Sequence, residues 1–337
     1  MRNERYYYSI MPEVERLAYK TIYEGLKNRE YTIEVSLQLS PDQVQEIYLR
    51  VLYDNPLFYY INQTVIRMAG VPGSYVLLPE YLYSAKEIAS LNKEIRNIVN
   101  KVGEKANTMR DNEFRLEKFL HDSVVKSVAY DYDSLMKNDC FNAHSIVGAF
   151  LDKKAVCEGI AKAFKLLCNE FSIKCIVVLG KADPKGIFDG DSYHAWNLVK
   201  IGNESYYVDP TWDNMYDKGL EHISYDYFNL TTDEILKDHR PIGDLPLCTA
   251  TRLNYFTCTN SFVDSYDSLI KLIEKRKNSK AIMFKFQSTN GEFLCSEESY
   301  AKSYMALQQS MFLTRKYRKF TLLLNEPHNI GKILFLE

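Results

Sequence analysis

Residues 193–210, YHAWNLVKIGNESYYVDP, constrain this chain more than any other stretch. Two runs rich in aromatic and β-branched residues flank Gly202-Asn203, a pairing that closes a two-residue hairpin. With those two residues as the turn, Ile201 faces Glu204 and paired positions sum to 405. Asp209 then lies opposite Trp196, and directly opposed residues share a face of the sheet. His194, two positions from Trp196, is on that face as well, a diagonal neighbour of Asp209 within side-chain reach. A register sum of 403 would set the two directly opposite, and only a one-residue slip would part them. Local geometry alone predicts a His–Asp pair.

Upstream, AVCEGIAKAF (155–164) begins a helix whose apolar side carries Val156, Ile160, Ala163, Phe164 and Leu167. IKCIVVLG (173–180) follows as a nearly continuous apolar strand. Cys157 therefore stands where a helix starts. A helix N-terminus and a neighbouring imidazolium both stabilise a thiolate, the reactive form of cysteine. A histidine beside it can protonate a leaving group, and a carboxylate can fix that histidine's tautomer. Gly159 and Ala161 are expected to leave room beside the thiol for a substrate. Each residue alone has a plainer account: a packing thiol, a core histidine, an aspartate ending a strand in an Asx turn. All three plain accounts would have to hold together.

AVCEGIAKAFKLLCNEFSIKCIVVLG and then YHAWNLVKIGNESYYVDPTWDN resemble the core of the transglutaminase-like superfamily, in particular its bacterial members. The resemblance implies a papain-like α+β fold with a Cys, His, Asp triad in this chain order. It carries Cys157 over as nucleophile, His194 as general acid/base and Asp209 as orienting carboxylate. HAW (194–196) and DPTW (209–212) hold both tryptophans of the chain, and LHDSVVKSVAYDYDS (120–134) resembles the family's preceding helix. Similarity is clear over about residues 113–215, and the first third, including DNPLFYY (54–60), resembles a leader of some bacterial relatives. Ala155 departs from the family's frequent glycine, which touches the backbone approach at the oxyanion site. The Cys157 N–H is the natural first oxyanion donor; the sequence assigns no second.

The remainder sets bounds. At 337 residues, two or three units are expected. No window of about eighteen apolar residues exists, so no membrane span is expected. The start, MRNERYYYSIMPEVERL, lacks a hydrophobic signal region, which with Met1 as the start makes the cytoplasm the expected compartment. Seven cysteines (140, 157, 168, 175, 248, 258, 295) with no CxxC pair predict free thiols, with neither a disulfide framework nor a zinc site. DGDS (189–192) opens like a calcium loop but lacks the later ligands. Neither cofactor nor metal is expected. Residues 111–258 hold 16 basic against 23 acidic side chains, net −7, whereas 259–337 hold 12 against 8, net +4. An acidic middle argues against a nucleic-acid groove there. KYRK (316–319) reads as solvated surface.

Helices are expected over 9–28, 40–56, 81–108, 111–130, 155–170, 264–277 and 297–312. Strands are expected over 32–39, 73–79, 173–180, 193–201, 204–210 and 254–258, then KAIMFKFQ, KFTLLLNE and GKILFLE. They divide into an N-terminal mixed α/β region (1–110), a transglutaminase-like core (111–250) and a C-terminal α/β domain (251–337). The expected function is thiol-dependent acyl transfer on protein or peptide amides, as protease, amidase or transglutaminase. The alternative is a binding scaffold on the same fold with its triad unused.

Overall fold

The computed structural model describes residues 5–134, 140–184, 193–214, 222–276, 278–287, 296, 304, 305, 308 and 319–336. The expected helix over 297–312 lies outside them except at three positions, and so do DGDS and most of KYRK.

The expected first helix is two, α1 (Tyr6–Ile10) and α2 (Glu13–Asn28), because Met11 is extended and Pro12 has no N–H to continue the ladder. The buried stripe also differs from expectation. Ala18, Tyr19, Ile22 and Leu26 pack inward, and Tyr19 swings the stripe away from Ile10, Val14 and Leu17, which face outward. β1 (Ile33–Val35) is shorter than its alternating run. α3 (Pro41–Asp54) starts at a capping box in which Ser40 and Gln43 each satisfy the other's backbone N–H, a device worth about 1 kcal/mol. β2 (Met68–Val71) and β3 (Ser74–Leu77) join β1 in an antiparallel sheet, order β1-β3-β2. α4 (Ala85–Ala106) opens on a second capping box, Ser84 with Glu87.

The centre is a helix on an antiparallel sheet. α5 (Glu113–Val125), β4 (Ala129–Tyr130) and β5 (Lys154–Ala155), paired with β4 in parallel, lead into α6 (Cys157–Glu170). Then come β6 (Lys174–Ala182), β7 (Tyr193–Ile201), β8 (Glu204–Val208), β9 (Phe228–Leu230), α7 (Thr232–Ile235) and β10 (His239–Pro241). The sheet order is β10-β6-β7-β8-β9, antiparallel throughout. α6 packs on β6 and β7 and is buried on nearly every side. Its Lys165 is fully buried and donates to the Cys175 carbonyl at 2.7 Å. The fold is α+β, as expected.

In the last quarter, residues 254–258 form a helix, α8 (Tyr255–Thr259), not the expected strand. Asn254 caps it by accepting from the Phe256 N–H at 3.0 Å, and Asn260 ends it in the left-handed region. β11 (Phe262–Val263), α9 (Tyr266–Lys275), β12 (Ala281–Phe286), β13 (Lys319–Asn325) and β14 (Ile330–Leu336) follow. Their sheet, order β11-β12-β14-β13, has its own apolar cluster around Val263, Leu269, Ile282, Phe284 and Ile333.

Candidate active site

The hairpin has the register read from its turn. Ile201 faces Glu204 and Asn197 faces Val208, both summing to 405, with Gly202 at φ 59° in the left-handed region that a tight turn needs. Extended by one pair, the ladder brings Asp209 to Trp196. His194 Nε2 is 2.7 Å from Asp209 Oδ2, and the His194 ring stacks on Trp196 with centroids 5.8 Å apart. Asp209 has no exposure and His194 8%. The Asp209 carboxylate is pinned at its other oxygen too, since Oδ1 accepts from the Thr211 and Trp212 amides at 2.9 and 3.2 Å.

Cys157 is the first residue of α6, and no side chain caps that helix, so its first N–H groups remain available to an anion. The thiol is half-buried and sits beside His194. With Nε2 engaged by Asp209, Nδ1 is the nitrogen left for the sulfur. Burial alone would lower the His194 pKa, but Asp209 and Cys157 reverse that and raise it to about 10. Burial would likewise raise Asp209, yet His194 and His239 hold it well below the carboxylate range. The geometry favours an imidazolium between two partners that stabilise its charge.

Tyr130 is the second side chain at the sulfur. Its strand, β4, runs beside β5 and pairs Tyr130 with Ala155, two residues before Cys157. Its phenol faces Cys157, and burial followed by that neighbour pushes its pKa up, which keeps its proton in place. Ala155 is itself buried, so the methyl that replaces a frequent glycine is accommodated inside β5.

Gly159 and Ala161 do not make the expected room. A Cβ on Gly159 would lie 2.4 Å from the Ala143 carbonyl oxygen and 2.9 Å from that of Ser145. Ala161 is buried, and its carbonyl accepts from Asn197 at 3.0 Å. Both small residues serve close packing behind the thiol. The room lies on the other side, in a cleft of about 1470 Å³ whose lining includes Tyr7, Ile10, Tyr53, Cys157, His194 and Ile242. The N-terminal helices thus form one wall of it. Beneath the thiol, Glu158 meets Lys162 at 2.5 Å and His144 at 3.0 Å, a buried ion pair that locks the first turn of α6.

Cys168 and Cys175 are fully buried, as expected of packing thiols. Burial first, then Cys175 beside it, pushes Cys168 well above the ordinary thiol range. Cys295 lies outside the described residues.

Sequence reasoning missed His239, whose Nε2 is 3.2 Å from Asp209 Oδ2. Its only signal was a histidine beside an aspartate in DHRP, which no spacing rule connects to residue 209. Among the described residues, His194, Asp209 and His239 have metal-ligand spacing, their donor atoms lying within 4.8 Å of one another. Both histidines already direct an N–H at the one oxygen. A cation there would have to displace both protons, and the trio fits a hydrogen-bonded relay better than a metal centre.

Residues 96–210, which contain all three groups, match the family model of the transglutaminase-like superfamily. Mouse kyphoscoliosis peptidase is 27% identical over 94 residues, 26% of this chain and 14% of that protein. The alignment thus spans a small part of that relative's length. Among solved structures, a transglutaminase aligns at 14% identity and TM-score 0.31, over 53% of this chain and 50% of its own. A Cytophaga hutchinsonii protein provisionally named a cysteine protease aligns at 16% and 0.26, over 44% and 61%. At those TM-scores neither structural likeness adds weight to the family match.

Proposed function

We propose, for this chain with its transglutaminase-like stretch at residues 96–210, that it transfers acyl groups from polypeptide amides through a thioester on Cys157. One observation carries the reading. Cys157 beside His194, and His194 hydrogen-bonded to Asp209, open on a cleft larger than the ~300–1000 Å³ of small-molecule sites. Ile10, Tyr193 and Ile242 are exposed apolar side chains on its lining, a surface suited to an extended chain.

The Cys157 sulfur attacks the amide carbonyl, forming the S–C bond and pushing charge onto oxygen. The Cys157 N–H and the Tyr130 hydroxyl are the donors proposed for that oxyanion. His194 gives its Nδ1 proton to the departing nitrogen as the C–N bond breaks. In the second half His194 takes a proton from the acceptor, whose oxygen or nitrogen attacks the thioester. The S–C bond breaks with its electron pair on sulfur, and the Cys157 thiolate and His194 imidazolium are restored. Asp209 stays ionised throughout and holds the ring.

Water is taken as the acceptor because the cleft is open to solvent; a lysine amine would make the same site a transglutaminase. Incubation with a peptide library and mass spectrometry separates cleavage, glutamine deamidation and isopeptide formation. A library left unchanged, with no acyl-enzyme mass on Cys157, would sink the reading.

A further inference from the structure

We propose that His239 is a positioning residue for Asp209, and that the 319–336 hairpin supports it through His328. The proposal rests on the reading of Cys157, His194 and Asp209 as the reacting set.

Oδ2 of Asp209, the oxygen that holds His194, is shared with Nε2 of His239 at 3.2 Å. The Thr211 and Trp212 amides hold Oδ1, and because a carboxylate's terminal torsion is soft, the second donor on Oδ2 adds the restraint on the oxygen that meets His194. His239 is fully buried on β10, packed against Trp212 (4.4 Å between centroids), Trp196 (4.9 Å) and Tyr227 (5.5 Å). Its other nitrogen, Nδ1, faces Asp238 Oδ1 at 2.7 Å. Both ring nitrogens of His239 thus lie against carboxylate oxygens, which fixes the ring's plane between Asp209 and Asp238. An apolar side chain would fill the same space and meet neither carboxylate.

Asp238 is fixed in turn by the last quarter of the chain. Its Oδ2 accepts from the Tyr227 hydroxyl at 2.7 Å and from Nε2 of His328 at 2.8 Å. His328 is fully buried at the tip between β13 and β14, 90 residues along the chain from Asp238. The hairpin is fastened beside that tip. Asn325 and Lys332 both donate to Asp226 Oδ2, at 2.8 and 2.7 Å. β10 is also pressed onto β6 at Gly180, where a Cβ would lie 2.2 Å from the Arg240 carbonyl oxygen. One series therefore runs His328, Asp238, His239, Asp209, His194, with each member donating to or accepting from the next. The hairpin is built into the site.

The test needs no substrate. In the full chain, the rate of Cys157 alkylation by iodoacetamide is followed against pH. The titratable groups facing Cys157 are His194, Tyr130, Tyr53 and Lys162. Those facing His239 are Asp209, Asp238, His194 and Tyr227. All remain in the variants. With Oδ2 of Asp209 held less firmly toward His194, the imidazolium beside the sulfur is less stabilised. His239→Ala should move the half-maximal pH up by about one unit, a tenfold slower reaction at a fixed lower pH. His239→Gln, which keeps one donor, should recover part of the shift, and His328→Gln should give a smaller shift in the same direction. Melting curves verify folding, and the two glutamine variants carry the test if the alanine variant does not fold. Folded variants whose profiles match the parent, or move to lower pH, overturn the proposal. A His194→Ala variant with the parental profile would instead overturn the reading of the site itself.

Discussion

Lys332 Nζ lies 2.7 Å from Asp226 Oδ2, and both side chains are buried although 106 residues separate them. Lys285 and Glu234, both half-buried, make a second contact between the same two regions at 2.5 Å. The charge imbalance between the acidic middle and the basic tail is partly spent here, as ion pairs between the two regions.

Lys332→Met should therefore destabilise the protein by about 3–5 kcal/mol, since removing one partner strands a buried carboxylate. Urea denaturation reads the loss directly. A change below about 1 kcal/mol would mean that Asp226 is satisfied by Ser224 and Asn325 alone.

Cys157 should be the thiol that limiting iodoacetamide labels first near pH 6, where an ordinary thiol of pKa about 8.5 is under about one per cent ionised. Peptide mapping should find the label on Cys157, and His194→Ala should abolish that preference. Even labelling across several cysteines would return Cys157 to a packing role.

Tyr130→Phe removes the proposed second oxyanion donor. It should lower kcat by about a hundredfold or more with little change in KM. Selective alkylation of Cys157 should survive, because His194 and the helix N-terminus remain. An unaltered kcat would take Tyr130 out of the mechanism.

His194 titrates near 6.5 in an unfolded chain and at about 10 here. The folded state holds this proton more tightly, so the contribution to stability is complete below about pH 6.5. It fades as pH rises toward 10. The gap in melting temperature between the parent and His194→Gln should be widest near pH 6 and shrink on the alkaline side. A gap that grows with pH would contradict an imidazolium at this position.

Glu117 has the same sign of pH dependence, but burial and not a charged partner is the cause. Burial pushes its pKa to about 8, against the hydrogen bond from Asn229. The folded chain binds that proton more tightly than the unfolded one, so Glu117 weakens the fold progressively from about pH 4.5 to 8. Glu117→Gln should gain stability relative to the parent across that window. Thermal melts at pH 5 and pH 8 decide it.

The hairpin was legible because its turn, alternation and register are local: Gly202-Asn203 sets the pairing, and the pairing sets the faces of His194 and Asp209. The helices that begin at Cys157 and near residue 40 were legible for the same reason, since their start signals lie within one turn of chain. Where a local signal competed with another, sequence reading went astray. Pro12 split the first helix, and a side-chain cap at Asn254 turned an apparent strand into a helix.

Only the tertiary structure decided what surrounds the reacting groups. Tyr130 reaches Cys157 through the parallel pairing of β4 with β5, and Gly159 meets the loop at Ala143 and Ser145. His239 comes to Asp209 across 30 residues, and His328 to Asp238 across 90. No periodicity encodes those distances. They follow from burying β10 and the last hairpin against one sheet, where each buried donor and acceptor must find a partner because water is excluded.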